Sequence, residues 1–163
     1  MSEEIVLENN LHIKVRWAIE RDASNIARLE LASAKFENRA KPFTFTHPQF
    51  TELWVKRIKE NNYKTMLACG AKELYGFLTF KNEIQLGHVL ALYISPRYMR
   101  SGVGSTLLSI AEHMVTMKGG HTLEVDVEMQ NNGAIAFYES LHFKKISVKS
   151  DHLIVMRKEI KNA

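Results

Sequence analysis

The segment HVLALYISPRYMRSGVGSTLL, residues 88–108, decides how this chain folds. An apolar run ends at Pro96. Two glycines two apart come next, Gly102 and Gly104, and then a helical pattern begins. Strand, glycine turn and helix in that order place the unpartnered first N–H groups of a helix at the end of a strand. That helix end carries a partial positive charge, so the turn suits an anion such as a phosphate or pyrophosphate. The two glycines remove Cβ atoms where an anion must approach the backbone, and Arg100 offers a charged donor. The common nucleotide motifs do not fit. GxxxxGK[ST] requires a lysine that is absent here, and GxGxxG/A meets Leu107 at its third position. From the turn alone, a phosphate cradle and a plain structural turn both stand.

Working outward, HIKVRWAI (12–19) alternates at Ile13, Val15 and Trp17 and predicts a strand. RDASNIARLELASAKF (21–36) predicts a helix with Asp22 as N-cap and Ile26, Leu29, Ala32 or Ser33, and Phe36 on its apolar face. Residues 38–46 read as a loop. HPQFTELWVKRIKENN (47–62) reads as a helix with Pro48 in its first turn and Phe50, Leu53, Trp54 and Ile58 inward. Strands are expected over 63–70, 73–82 and 83–96. The helix after the glycine turn carries Val103, Leu107, Leu108, Ala111, Met114 and Val115 on one stripe and stops at Gly119-Gly120. HTLEVDVEM (121–129) alternates strictly, with Leu123, Val125 and Val127 on one face and Glu124, Asp126 and Glu128 on the other. A short helix over 131–141, capped by Asn131 or Asn132, and two last strands complete the chain. The expected fold is α/β (α+β), a mixed sheet of about seven strands with about four helices on its faces. A parallel pair forms where the crossover joins residues 84 and 127.

Composition narrows the function. Of 163 residues, 45% are apolar and 25% charged, enough for a globular core. The expected organisation is a flexible tail at 1–10 and one domain over 11–163. The net charge is +4, but the basic residues are scattered, without a basic run interleaved with aromatics, so no nucleic-acid partner is expected. No apolar run approaches the ~20 residues that span a bilayer. The acidic start MSEEIVLENN lacks secretory-signal character. Cys69 is the single cysteine, which excludes an intrachain disulfide. No His, Cys and Asp grouping has metal-ligand spacing, so no metal is expected. A cytoplasmic location and no membrane partner are the expectations.

The glycine turn gains meaning from the sequence downstream of it. YISPRYMRSGVGSTLL (93–108) and, later, NNGAIAFYESLHF (131–143) together resemble the GNAT family, the GCN5-related N-acetyltransferases. That family's turn reads Q/R-x-x-G-x-G/A, and its later signature approximates N-x-x-A-x-x-F/L-Y-x-x-x-G-F. The order of elements matches over roughly residues 11–160. Met99 stands where the family prefers Gln or Arg, and His142 where Gly usually precedes Phe143.

The resemblance implies a mostly antiparallel sheet whose strands over 83–96 and 121–129 are parallel and splayed around a site for CoA. It implies acetyl-CoA as co-substrate. The N–H groups of Arg100, Ser101, Gly102, Val103, Gly104 and Ser105 would hold its pyrophosphate. Backbone groups of Leu92, Tyr93 and Ile94 would pair with the pantetheine arm, with an N–H near Leu92 on the oxyanion. Asn131 would contact the pantetheine or cap its helix. Tyr138 would return a proton to the departing thiolate, a match of phenol to thiol acidity. For the base, Asp126 matches the position of a base glutamate in bacterial ribosomal-protein N-terminal acetyltransferases, with a water bridging its shorter side chain. His88, of a type that titrates near neutral pH, is the second candidate. Glu124 and Glu128 share the face of Asp126. Phe36, Phe43, Phe45, Phe50 and Trp54 could line an acceptor pocket or form helix core, and His47 and Glu52 could contact a cationic or peptide acceptor. The implied reaction is direct transfer to a primary amine, of a small molecule or of a protein N-terminus or lysine. A non-catalytic acyl-CoA-binding or regulatory module on the same fold is the alternative. Dimerisation is common in the family, which leaves a homodimer open.

Overall fold

The computed structural model describes residues 2–36 and 46–161. The strands are β1 (Ser2–Val6), β2 (His12–Trp17), β3 (Lys64–Cys69), β4 (Leu74–Asn82), β5 (Leu86–Ile94), β6 (Thr122–Glu128), β7 (Lys144–Val148) and β8 (Leu153–Glu159). The helices are α1 (Ala23–Phe36), α2 (His47–Glu60), α3 (Val103–Met117) and α4 (Asn132–Ser140), with short 3-10 turns at Glu20–Asp22 and Pro96–Tyr98. The strand order is β1-β2-β3-β4-β5-β6-β8-β7. This is the expected mixed α/β architecture, with β5 and β6 parallel. Among the described residues no helix is long and apolar enough to cross a membrane.

The sheet has an eighth strand. Ser2–Val6, expected as part of a loose tail, pairs antiparallel with β2 in the register Ser2↔Arg16 to Val6↔His12. Four of its five residues are exposed. The hydrogen bonds of an edge strand are backbone bonds, so it forms without an apolar face that the sequence would display.

Contacts divide the chain into two compact units, Met1–Thr79 with Leu92–Leu108 and Phe80–Ala91 with Ser109–Ala163. In the first, the alternation of β2 buries Ile13 and Val15, and α1 buries Ile26, Leu29 and Ser33, so Ser33 rather than Ala32 faces inward. Helix α2 starts on a capping box. Thr46 accepts from the Gln49 N–H, the Gln49 side chain accepts from the Thr46 N–H, and Pro48 sits in the first turn. The helix ends on Asn61 at φ 52°. Trp54 packs edge-on against Phe77 and donates to Glu30 Oε2 at 2.8 Å, joining α2 to α1. Each such fully buried apolar side chain contributes about 1.5–3 kcal/mol.

Asp22 does not cap α1. Its carboxylate reaches back to the Ile19 N–H at 2.8 Å and takes two 2.8 Å bonds from the Arg16 guanidinium. The residue belongs to the 3-10 turn, and α1 starts after it at Ala23.

In the second unit, Leu123, Val125 and Val127 of β6 are buried as their alternation requires. The parallel ladder pairs Leu86–Val89 with Thr122–Val125 and ends there, although β5 runs on to Ile94 and β6 to Glu128. β6 pairs along its whole length with β8.

Candidate active site

The glycine turn is built from unusual backbone. Arg100 has φ 60° and Gly102 φ 93°. The second value explains the glycine, because an L side chain is strained there. The first intrahelical bond of α3 runs from the Thr106 N–H to the Gly102 carbonyl at 3.1 Å, and the Thr106 hydroxyl adds a 2.8 Å bond to the same oxygen. Gly102 is therefore the cap. Val103, Gly104 and Ser105 supply the first-turn N–H groups that a helix cannot satisfy internally. The side chain of Met99 is not needed for such a cradle, and Arg100 is exposed beside it.

The end of β5 lies against β4 and α1. The Ile94 carbonyl accepts from Ser33 Oγ at 3.4 Å, and the Tyr93 ring is 5.3 Å from that of Phe77. A Cβ on Gly76 would come 2.9 Å from the Tyr93 carbonyl oxygen, so β4 carries glycine where this backbone crowds it.

Three residues from the polar faces of β5 and β6 meet in the second unit. His88 is the register partner of Glu124. Its Nε2 is 2.9 Å from Asp126 Oδ1 and its Nδ1 is 3.6 Å from Glu124 Oε1. Lys149, in the β7–β8 turn, donates to Asp126 Oδ2 at 2.7 Å. Arg157 of β8, the register partner of Glu124, donates to it through Nε at 2.8 Å. These partners largely cover the polar face of β6 here, with Glu124 at 8% exposure. A carboxylate on Nε2 favours the ring tautomer with its proton there, which leaves Nδ1 as the basic atom. Any imidazolium formed faces both Asp126 and Glu124. Lys149 and Arg157 are the members of this cluster that sequence reasoning missed. They come from distant segments, and only the β6–β8 register brings them in.

Helix α4 presents Tyr138. Asn131 caps the helix through Oδ1, which accepts from the Ala134 N–H at 3.0 Å. The other end is a Schellman motif. The His142 N–H donates to the Glu139 carbonyl and the Phe143 N–H to the Tyr138 carbonyl, both at 3.0 Å. His142 holds the left-handed position at φ 74°, where glycine normally sits, so the turn geometry survives the departure from the family pattern. The motif's apolar contact is the edge-on pair of Tyr138 and Phe143, centroids 5.4 Å apart. Tyr138 is 5% exposed.

Other residues singled out in the sequence have structural roles. Phe50 and Trp54 are core. His47 Nε2 lies 2.9 Å from the Ser24 carbonyl and ties α2 to α1. Phe43 and Phe45, most of the 38–46 loop and the side chain of Phe36 lie outside the described residues. Burial pushes the Cys69 thiol up, against the opposing pull of Arg16, which makes it a poor nucleophile. Among the described residues no group of three or more His, Cys, Asp or Glu is arranged to hold a metal ion.

Residues 17–143 match the model of the acetyltransferase (GNAT) family. The chain is 35% identical over 80 residues to an N-alpha-acetyltransferase of Saccharolobus solfataricus, covering 45% of this chain and 47% of that protein. It is 31% identical over 85 residues to a spermidine N(1)-acetyltransferase of Thermoplasma acidophilum, covering 52% and 53%. The match thus spans about half the length of these curated relatives. The fold is that of the PaiA N-acetyltransferase from Thermoplasma acidophilum, solved in complex with coenzyme A, at TM-score 0.76 and 21% identity over 91% of this chain and 99% of that one. With the family model matched over most of its length, the chain belongs to the GNAT acetyltransferase family.

Proposed function

We propose that this chain transfers the acetyl group of acetyl-CoA to a primary amine by direct attack within a ternary complex. The observation that carries the reading is the turn before α3, where positive φ at Arg100 and Gly102 precedes the first-turn N–H groups of a helix in a chain of this family. The N–H groups of residues 100–105 bind the pyrophosphate of the substrate. Backbone groups of Leu92, Tyr93 and Ile94 pair with its pantetheine amides, and an N–H near Leu92 stabilises the oxyanion. Asn131 spends Oδ1 on its helix, so Nδ2 is its donor toward the pantetheine.

His88, oriented by Asp126, takes the proton of the attacking amine directly or through water. The N–C bond forms and the C–S bond breaks. Tyr138 gives its proton to the leaving thiolate. The raised Cys69 thiol argues against an acyl-enzyme on that residue. The named relatives act on different amines, an N-alpha group and spermidine, which supports primary amines as the class. The test is thiol release from acetyl-CoA with a panel of peptides, polyamines and small amines. The expected result is release that depends on one class of amine. Binding of CoA without turnover on any amine would instead favour a non-catalytic acyl-CoA-binding module.

A further inference from the structure

We infer that Asn9, in the loop between β1 and β2, is a positioning residue of the glycine turn, holding the Ser101–Gly102 peptide so that the Gly102 N–H faces the donor's pyrophosphate. The inference rests on the acetyl-CoA reading above. The loop precedes residue 17 and lies outside the stretch matched by the family model. It is closed by its own backbone. The Leu7 N–H donates to the Leu11 carbonyl at 2.9 Å, the Asn10 N–H donates to the Leu7 carbonyl at 2.8 Å, and Asn10 sits at φ 65°.

Asn9 Oδ1 accepts from the Leu11 N–H at 3.1 Å, which fixes the orientation of the amide. Nδ2 therefore faces the turn and donates to the Ser101 carbonyl at 3.2 Å. The peptide is planar and trans, so the Gly102 N–H points opposite to the tethered carbonyl, away from Asn9. Leu7 supports the same residue, with Cδ1 3.4 Å from where a Cβ on Gly102 would stand. Thr106 holds the Gly102 carbonyl from the helix side, and Asn9 holds the preceding carbonyl from the loop side. A turn containing two positive-φ residues needs such restraint to keep its N–H groups converged.

The experiment uses Asn9→Ala and Asn9→Asp in the full chain. The second keeps an acceptor for the Leu11 N–H but removes the donor, so it remains informative if the alanine variant disturbs the hairpin. Calorimetry reads the Kd for CoA, and kinetics compare acetyl-CoA with acetyl-pantetheine, which has no pyrophosphate. Both variants should weaken CoA by about tenfold, the worth of one hydrogen bond to a binding site, with kcat/KM on acetyl-pantetheine unchanged. An unchanged Kd for CoA in both variants would overturn the inference alone. So would an equal loss on both donors, which is the mark of general structural damage. An unaltered protein that binds no CoA would overturn the acetyl-CoA reading and this inference with it.

Discussion

Replacing Tyr138 by phenylalanine separates chemistry from folding. The ring is 5% exposed and packs against Phe143 at 5.4 Å and 67°, and against Phe137 at 5.4 Å. Phenylalanine keeps all of this contact. The stability loss is confined to one hydroxyl, at most about 0.5–1.5 kcal/mol. For a chain of this size that lowers Tm by about 2–4 °C per kcal/mol. The loss of a general acid is of another order, ~10²–10⁴ in kcat. Steady-state kinetics with acetyl-CoA and the best amine of the panel should show that fall, with KM for acetyl-CoA changed by less than about threefold, because the hydroxyl acts on the leaving group. Thermal melts of the same preparations control for folding. Unchanged kcat would refute the role of Tyr138, and so would a loss of activity that merely tracks the unfolded fraction.

His88→Gln should lower kcat/KM by about 10², and Asp126→Asn, which removes the carboxylate that orients the ring, should lower it in the same direction; an unchanged kcat/KM in the asparagine variant would remove Asp126 from the mechanism. His142→Gly should raise Tm by about 2–4 °C, because a side chain at φ 74° costs about 1–2 kcal/mol and glycine returns part of that as chain entropy; a lower Tm would contradict the Schellman assignment. Asp22→Asn should lower stability by about 1–3 kcal/mol at neutral pH and remove part of the acid sensitivity, read by denaturant titration between pH ~3 and ~7. Burial alone would raise the Asp22 carboxyl, but the Arg16 hydrogen bond, the Ile19 N–H and the charges of Arg16 and Arg21 outweigh it and hold it below the usual range. Its contribution is thus present above about pH 4 and lost as pH falls through the depressed folded value; an asparagine variant with an unaltered acid limb of stability would contradict this.

Elements with a buried face were legible in the sequence. The alternation of Leu123, Val125 and Val127 and the stripe from Val103 to Val115 announced β6 and α3, and these side chains are buried as the pattern demands except Met114, which is half-buried. β1 was illegible because SEEIV is nearly all exposed and held by main-chain bonds. Asp22 has the residue type and position of an N-cap, yet Arg16 on a neighbouring strand offers it a stronger partner. The same limit applies to the His88 cluster. Sequence periodicity puts Glu124 and Asp126 on one face, but the partners that cover them, Arg157 and Lys149, depend on how β6 pairs with β8 and where the β7–β8 turn falls. His142 was a departure from the family pattern, and its consequence became readable only from a dihedral angle.

The central claim, that the turn before α3 cradles the donor's pyrophosphate with backbone amides, is tested most directly by tracking the amide resonances of the labelled protein as CoA is added. The account predicts that the amide protons of residues 100–105, Gly102 and Gly104 above all, move downfield with saturation, as hydrogen-bonded N–H groups do. CoA binding that shifts other regions and leaves these amides in place would contradict it.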